Sequence, residues 1–255
     1  MSSTWISPQL YEILTHGVHQ DLSFYQQQSL DHLGPILDIG AGLGRISAPL
    51  LKNNQPVVLL EHNPHMCTEL CRRLSELSED TQQKVWVLEQ DATAIDHLDT
   101  HALEFGDPNG LPEQFSLIVV GLRTIHLFDQ NERHHILSLA KRLLTPNGAL
   151  ILHYSDLAKA PLQSSWKLVA EHSLEEGTIE VEECFFLHTP SQMYHLRHRI
   201  WQSNELGQHV GSWRVAHNLY AIDLQALINQ LSDMGFQTIQ NPSLHGTESF
   251  IVAKV

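Results

Sequence analysis

The segment Ile36–Gly44, with the sequence ILDIGAGLG, is the part of this chain that indicates its fold most clearly. Its first four residues are apolar except for Asp38, which predicts a short buried strand. Glycines follow at 40, 42 and 44, and a helix is expected to begin near Arg45. Glycine tolerates positive φ and has no Cβ, so such a turn lets a ligand approach the backbone closely. Ligands of open α/β sheets bind at this carboxyl edge, so the turn is a candidate ligand site.

Strands and helices alternate along the chain on both sides of this segment. Apolar runs predict strands at 57–60, 85–88, 115–120 and 149–153, with helices at 64–77 and 131–144. Two further strands are predicted at 236–240 and 249–255, joined by a loop over 241–247. Continuous apolar strands separated by helices indicate a mainly parallel sheet that is covered on both faces. The predicted class is therefore α/β.

The pattern changes after Tyr154. Three strand-like runs, at 178–188, 192–202 and 209–220, follow one another without helices between them, which predicts a small antiparallel insertion. We therefore expect an N-terminal helical lid at 1–33, a Rossmann-like domain at 34–154 and 221–255, and the antiparallel β insertion at 155–220. The insertion is expected to form the lobe on the acceptor side of the site.

Acidic residues at the strand ends indicate which ligand the turn binds. A dinucleotide site has the pattern G-x-G-x-x-G, whereas here the third glycine comes one residue early. Asp38 would repel a pyrophosphate but suits a ligand that carries an ammonium and a sulfonium. Glu61, after the second strand, can accept hydrogen bonds from a ribose diol, and Asp91, after the third, from an adenine amino group. The pattern indicates S-adenosylmethionine.

Three segments resemble motifs of the class I S-adenosylmethionine-dependent methyltransferases: Leu37–Gly44, Leu60–Met66 and Gln90–Ala92. The resemblance covers about residues 20–154 and resumes from 221. It implies a Rossmann-like sheet of seven strands, mainly parallel, with an antiparallel last strand. It also implies that Tyr11 or Tyr25 closes over the methionine end of the cofactor. The cofactor-binding residues that it implies are Tyr11, Tyr25, Asp38, Gly40, Ala41, Gly42, Gly44, Glu61, His62, Met66, Asp91, Ala92 and Gly121.

Methyl transfer from a sulfonium is an in-line displacement, so alignment of the acceptor is the main requirement. A base is needed only if the attacking atom carries a proton at the working pH. His126 and His153, near the ends of the fourth and fifth strands, are candidates for a base or for positioning the acceptor. Arg123, His126 and Tyr154 are candidates for binding it. A local hydrogen bond is the alternative for His126, and an exposed loop position is the alternative for Arg123.

Composition limits the partners that we expect. The formal charge of the 255 residues is −14, without a visible basic stretch, so we expect no nucleic-acid partner and no membrane. Three cysteines, no signal peptide and no long apolar span predict a cytoplasmic protein. The chain has 18 histidines, yet His195 and His198 would point to opposite faces of a strand, and no carboxylate cluster follows the fourth strand. No metal site is predicted.

The function predicted from the sequence is S-adenosylmethionine-dependent methyl transfer to an oxygen or nitrogen atom of a small molecule, by a monomer or homodimer. Two alternatives stay open at this point. One is a protein or peptide methyltransferase that uses the insertion to recognise its substrate. The other is a protein that binds S-adenosylmethionine without catalysis and acts as the partner of another enzyme.

Overall fold

The structure, a computed structural model, describes residues 6–157, 161–240 and 248–255. It divides into two compact units, one comprising Met1–Ser155 and Leu224–Val255 and the other comprising Asp156–Asp223. The loop predicted over 241–247 lies outside the described residues. Each unit contains one β-sheet.

In chain order, the helices of the described residues are α1 Pro8–Thr15, α2 Leu22–Asp31, α3 Ser47–Leu51, α4 Pro64–Leu74, α5 Glu79–Gln82, α6 Gln130–Leu143 and α7 Leu224–Asp233. The strands are β1 Ile36–Ile39, β2 Val57–Glu61, β3 Val85–Glu89, β4 Leu103–Phe105, β5 Phe115–Val120, β6 Leu144–Ser155, β7 Lys167–Leu174, β8 Gly177–His188, β9 Met193–Ser203, β10 His209–Tyr220, β11 Gln237–Gln240 and β12 Glu248–Lys254.

The sheet of the first unit has eight strands in the order β11-β12-β6-β5-β1-β2-β3-β4. The five strands from β6 to β3 in this order are parallel, and β12 is antiparallel to both β6 and β11. The predicted Rossmann-like class is confirmed, including its antiparallel last strand. The predicted count of seven strands omits β4, which pairs antiparallel to β3 at the edge. A run of only three residues is too short to show a periodicity in the sequence.

The core of the first unit explains why its strands are apolar throughout. All four residues of β1 are buried, and so are all six of β5 except Ser116. Helices cover the sheet: Leu50 of α3 and Leu70 of α4 are at most 2% exposed within one apolar cluster. A strand buried on both faces has no polar side, which is the pattern that the sequence shows.

The second unit is a four-stranded antiparallel sheet in the order β10-β9-β8-β7. Three of its strands lie within one residue of their predicted bounds. The prediction of three strands is wrong because it omits β7, which pairs with β8. Six of the eight residues of β7 are exposed, so it lacks the clear alternation that marks a half-buried strand.

Within the described ranges, every helix is too short or too polar to cross a lipid bilayer.

Candidate cofactor site

The turn after β1 needs glycine at three positions. Gly40, Gly42 and Gly44 have φ values of +75°, +58° and +76°, a region that favours glycine. A Cβ on Gly40 would lie 2.7 Å from Thr124 Cγ2, and a Cβ on Gly42 would lie 3.0 Å from the phenol oxygen of Tyr11. Residues 40–44 are called the glycine turn below, and its three glycines are both left-handed and closely packed.

The structure brings Asp38, Glu61 and Asp91 to one edge of the sheet, as the sequence predicts. β1, β2 and β3 are parallel neighbours, and the register places Asp38 opposite Leu59, two residues before Glu61. Glu61 Oε2 accepts a hydrogen bond from Gly42 N at 2.8 Å, which joins the end of β2 to the glycine turn. Asp91 Oδ2 lies 3.8 Å from Nδ1 of His62, the residue that follows Glu61. The three carboxylates and the glycine turn are called the acidic cradle.

Glu61 is already hydrogen-bonded by the backbone. Besides Gly42 N, its Oε1 accepts from His62 N at 2.9 Å and from Asn63 N at 2.7 Å. An ionised carboxylate has about four acceptor positions, so these bonds leave roughly one, on Oε2. A ribose diol that used both carboxylate oxygens would have to replace the bond from His62 N or the bond from Asn63 N on Oε1.

Asp38 is the buried member of the acidic cradle. It is 1% exposed, and its Oδ2 accepts a hydrogen bond from Ser47 Oγ of α3 at 2.6 Å. Burial raises the pKa of Asp38 to about 6 although the bond from Ser47 opposes the shift. Its carboxylate thus joins β1 to the helix behind the glycine turn, a contact that the sequence reasoning missed. A contact with the ammonium of a cofactor stays a prediction.

The adenine-side residues are more open. Asp91 Oδ1 accepts from Thr93 N at 2.9 Å and from Thr93 Oγ1 at 2.7 Å, so Oδ2 is the oxygen left for another donor. The Asp91 side chain is 37% exposed and that of His62 is 51% exposed. Met66 and Ala92, also predicted to bind the cofactor, are buried. This arrangement suits a donor such as an adenine amino group.

The two tyrosines assigned to the lid lie in different surroundings. Tyr11 of α1 packs on Gly42, and burial raises the pKa of its phenol to about 12. Tyr25 of α2 is fully buried, and its phenol oxygen lies 3.3 Å from His153 Nδ1. Of the two, Tyr11 is thus the one in contact with the glycine turn. Closure of either over the methionine end stays a prediction.

An ion-pair chain that the sequence reasoning missed connects Arg45 to His153. Arg45 binds both carboxylate oxygens of Asp21, the N-cap residue of α2, at 2.8 and 2.6 Å. Asp21 Oδ2 lies 3.6 Å from His153 Nδ1, and His153 Nε2 lies 2.8 Å from Glu248 Oε2 on β12. The position of Arg45 directly after the glycine turn could have marked it as a candidate site residue. Its partner Asp21 could not be identified in the same way, because it lies 24 residues away in the sequence.

Neighbouring charges shift the pKa values of the groups in this series of ion pairs. Burial disfavours the imidazolium of His153, but the carboxylates of Asp21 and Glu248 outweigh burial and raise the pKa of His153. Burial likewise opposes ionisation of Asp21 and Glu248, yet their hydrogen bonds with Arg45 and His153 hold the pKa of each carboxyl below its ordinary value. The two carboxylates therefore favour the imidazolium form of His153, an arrangement that suits positioning better than proton abstraction.

The remaining acceptor-side candidates surround the loop after β5. His126 is fully buried, and its Nε2 accepts a hydrogen bond from Ser155 N at 3.0 Å, which is the local alternative that the sequence left open. The His126 ring also packs against Tyr154, with 5.3 Å between ring centroids. Arg123 has a φ of +63°, and its Nε lies 3.9 Å from Glu248 Oε1. A Cβ on Gly121 would lie 2.0 Å from Ile46 Cδ1, so any other residue there would have to displace the end of the Ile46 side chain.

A cavity of about 520 Å³ adjoins the other side of the glycine turn. Leucines of α3 and α4 form much of its wall, and Tyr11, Gly44 and Arg45 also line it. None of the three carboxylates of the acidic cradle lines this cavity. It therefore shares Tyr11 and Gly44 with the predicted cofactor residues but does not reach the three carboxylates.

Sequence comparisons identify relatives of this chain. Residues 23–107 match the family model described as ribosomal RNA adenine dimethylase. The curated ribosomal RNA small subunit methyltransferase A of Anaeromyxobacter dehalogenans is 29% identical over 152 residues, which are 58% of this chain and 49% of that protein. The chain thus spans about half the length of this relative.

Solved structures share the fold over nearly the whole chain. The S-adenosylmethionine-bound amino pentose methyltransferase CalS10 of Micromonospora echinaspora has a TM-score of 0.75 at 13% identity, with 100% of this chain and 99% of that chain covered. The sugar N-methyltransferase KedS8 of Streptoalloteichus has a TM-score of 0.71 at 13% identity, with coverage of 100% and 94%. At such identities the likeness shows the fold alone.

These matches correct one prediction and confirm another. The expectation of a small-molecule acceptor and no nucleic-acid partner is wrong, since both sequence matches are to proteins named for ribosomal RNA. A net charge of −14 misled because it sums over the chain and carries no information on where the basic residues lie. The matched segment 23–107 runs through β1, β2 and β3, whose ends carry the acidic cradle, and the matches confirm the resemblance to the class I S-adenosylmethionine-dependent methyltransferases.

Proposed function

We propose that this protein transfers a methyl group from S-adenosylmethionine to the amino nitrogen of an adenine in RNA. The observation that carries the proposal is the match of residues 23–107, which include the acidic cradle, to the ribosomal RNA adenine dimethylase family. Two methyl groups on one adenine point to its exocyclic amino nitrogen, which carries two replaceable hydrogens.

The acidic cradle fits the cofactor in its donor and acceptor chemistry. Glu61 Oε2 and Asp91 Oδ2 are acceptors for hydroxyl and amino groups. The glycines at the end of the neighbouring strand β1 have no Cβ to block an adenosyl group. When bound, S-adenosylmethionine supplies an electrophilic methyl group on a sulfonium. The role of Glu61 and Asp91 is to fix the nucleoside so that this methyl group faces the acceptor.

The state of the two histidines supports an acceptor that needs no prior deprotonation. An adenine amino nitrogen is uncharged at neutral pH, so it attacks the methyl carbon directly and loses a proton after the carbon–nitrogen bond has formed. Two carboxylates favour the imidazolium form of His153, and His126 Nε2 already accepts a hydrogen bond from Ser155 N. Neither is arranged as a strong base, so alignment and exclusion of water are the contributions that we assign to the chain.

The test uses S-adenosylmethionine with a labelled methyl group and unmethylated small-subunit ribosomal RNA. After nuclease digestion, mass spectrometry should detect the label in methylated or dimethylated adenosine. A short substrate in which purine riboside replaces adenosine lacks the amino group and should take no label. Gly42→Val, which places a branched side chain against Tyr11, is the inactive control. Label on an amino sugar but none on RNA would refute the RNA assignment and leave the transfer to nitrogen intact.

A further inference from the structure

One face of the sheet in the second unit carries arginines and aromatic rings. Along β9, alternate residues point to opposite faces: Tyr194, Leu196, His198 and Ile200 are buried, whereas His195, Arg197, Arg199 and Trp201 lie on the other side. The register adds Phe186 of β8 and Arg214 of β10 to that second side. We call Trp166, Phe186, Arg197, Arg199 and Arg214 the arginine face.

The three arginines of this face lack carboxylate partners in the part of the chain that the structure describes. Among the described residues, Arg197, Arg199 and Arg214 form no ion pair within 4.0 Å. Elsewhere in the described chain, five arginines each lie within that distance of a carboxylate, namely Arg45, Arg72, Arg73, Arg123 and Arg142. In a chain with 29 acidic residues and 15 basic ones, three such guanidinium groups on one face indicate an anionic partner outside the chain.

The strand pairing strengthens this argument. Arg199 on β9 lies directly opposite Arg214 on β10, and like charges in that position destabilise a sheet. On the other neighbouring strand, β8, Glu182 lies opposite Arg199, but its carboxylate accepts a hydrogen bond from Trp201 Nε1 at 3.3 Å. Glu180 shares this face opposite Trp201. The Arg199–Arg214 pair does not stabilise the fold, whereas a phosphate bound between the two guanidinium groups would offset their repulsion.

Aromatic rings accompany the guanidinium groups. The Arg199 guanidinium lies 3.8 Å from the centroid of the Trp166 ring, and that of Arg197 lies 5.0 Å from the Phe186 centroid. Phe186 is 36% exposed and stacks on His195, with 4.7 Å between ring centroids. Rings and guanidinium planes on an open sheet are the surfaces on which unpaired bases stack.

We propose that the arginine face binds single-stranded RNA, with phosphates on Arg197, Arg199 and Arg214 and bases on the Phe186 and Trp166 rings. This inference rests on the proposed function, because it takes RNA as the substrate class. Single strands are favoured over duplexes since the bases of a duplex are stacked on one another and closed to these rings.

The test measures binding of a fluorescein-labelled unstructured RNA by anisotropy over a range of salt concentrations. The triple variant Arg197→Gln, Arg199→Gln, Arg214→Gln should bind more weakly and lower the slope of log K against log salt by about 2, at about 0.7 for each phosphate contact. Arg72→Gln is the matched control, since Arg72 pairs with Glu69 and Glu76 in the first unit, and should leave the slope unchanged. Phe186→Leu should weaken binding about fivefold or more without a change of slope.

The outcomes separate this proposal from the proposed function. Equal affinity and slope for the triple variant and wild type would overturn the RNA surface, as would absence of RNA binding by the wild type. Dissociation of a wild-type dimer by the triple substitution, with RNA affinity unchanged, would instead make this face a contact between copies. If RNA is bound through these arginines but never methylated, the result would support the RNA-binding surface and refute the proposed function. Circular dichroism and cofactor affinity establish that the variants fold.

Discussion

Replacing Glu61 by glutamine tests the acidic cradle with the smallest change of shape. The Glu61 carboxylate accepts three backbone hydrogen bonds, from Gly42, His62 and Asn63, at 2.8, 2.9 and 2.7 Å. A glutamine amide accepts at one atom only. If its oxygen keeps the two bonds from His62 and Asn63, its NH₂ group faces the N–H of Gly42, donor against donor.

The magnitude follows from the bonds that are lost. A hydrogen bond to a charged group contributes about 1.5–3 kcal/mol, so loss of the Gly42 bond should lower the free energy of unfolding by ~2 kcal/mol. The same substitution removes the charge-assisted acceptor that a ribose hydroxyl would use. We expect the dissociation constant for S-adenosylmethionine to rise about tenfold to hundredfold, which corresponds to ~1.4–2.8 kcal/mol.

Titration calorimetry with S-adenosylmethionine measures the affinity, and urea unfolding measures the stability separately. Glu89→Gln is the matched control, because Glu89 lies opposite Glu61 in the register of β2 and β3. An unchanged dissociation constant for Glu61→Gln, or an equal loss for Glu89→Gln, would refute the assignment of Glu61 to the cofactor.

Three further predictions follow from buried groups. Burial raises the pKa of Asp38 to about 6, above its unfolded value, so its ionisation costs stability as the pH rises through 6. In urea unfolding, the free energy of unfolding of Asp38→Asn should therefore rise relative to that of wild type by ~3 kcal/mol between pH 4 and pH 7.5. A difference between the two proteins that stays constant over this range would contradict the raised pKa of Asp38. The pKa of His153 is also raised, so its ion pairs stabilise the fold below its unfolded pKa of about 6.5, and this stabilisation is lost as the pH rises through the folded value. His153→Gln should cost ~3 kcal/mol at pH 6 and less at pH 9, as measured by the same method. Gly42→Ala should lower the free energy of unfolding by ~1–2 kcal/mol. A double-mutant cycle with Tyr11→Ala should measure the part of this loss that comes from the close approach, at 3.0 Å, of the new Cβ to the Tyr11 phenol oxygen.

The main architecture and the grouping of the acidic cradle could be predicted from the sequence alone. Strands buried on both faces are apolar throughout, so β1, β2, β3, β5 and β6 stand out from the helices between them. The glycine turn is equally visible, because three left-handed positions in five residues require glycine. Glu61 and Asp91 could be placed at one edge since parallel strands end on the same side of a sheet.

Other features depend on how the chain folds in three dimensions. β4 is too short, and β7 too exposed, to show a pattern in the chain. Asp21, Arg45, His153 and Glu248 are dispersed over the sequence, and only the topology that joins α2, the glycine turn, β6 and β12 makes them neighbours. The net charge showed that the chain is acidic, but the register of β8, β9 and β10 placed three arginines together on one face. Local patterns record burial and backbone conformation, whereas electrostatic partners depend on distances that exist only after folding.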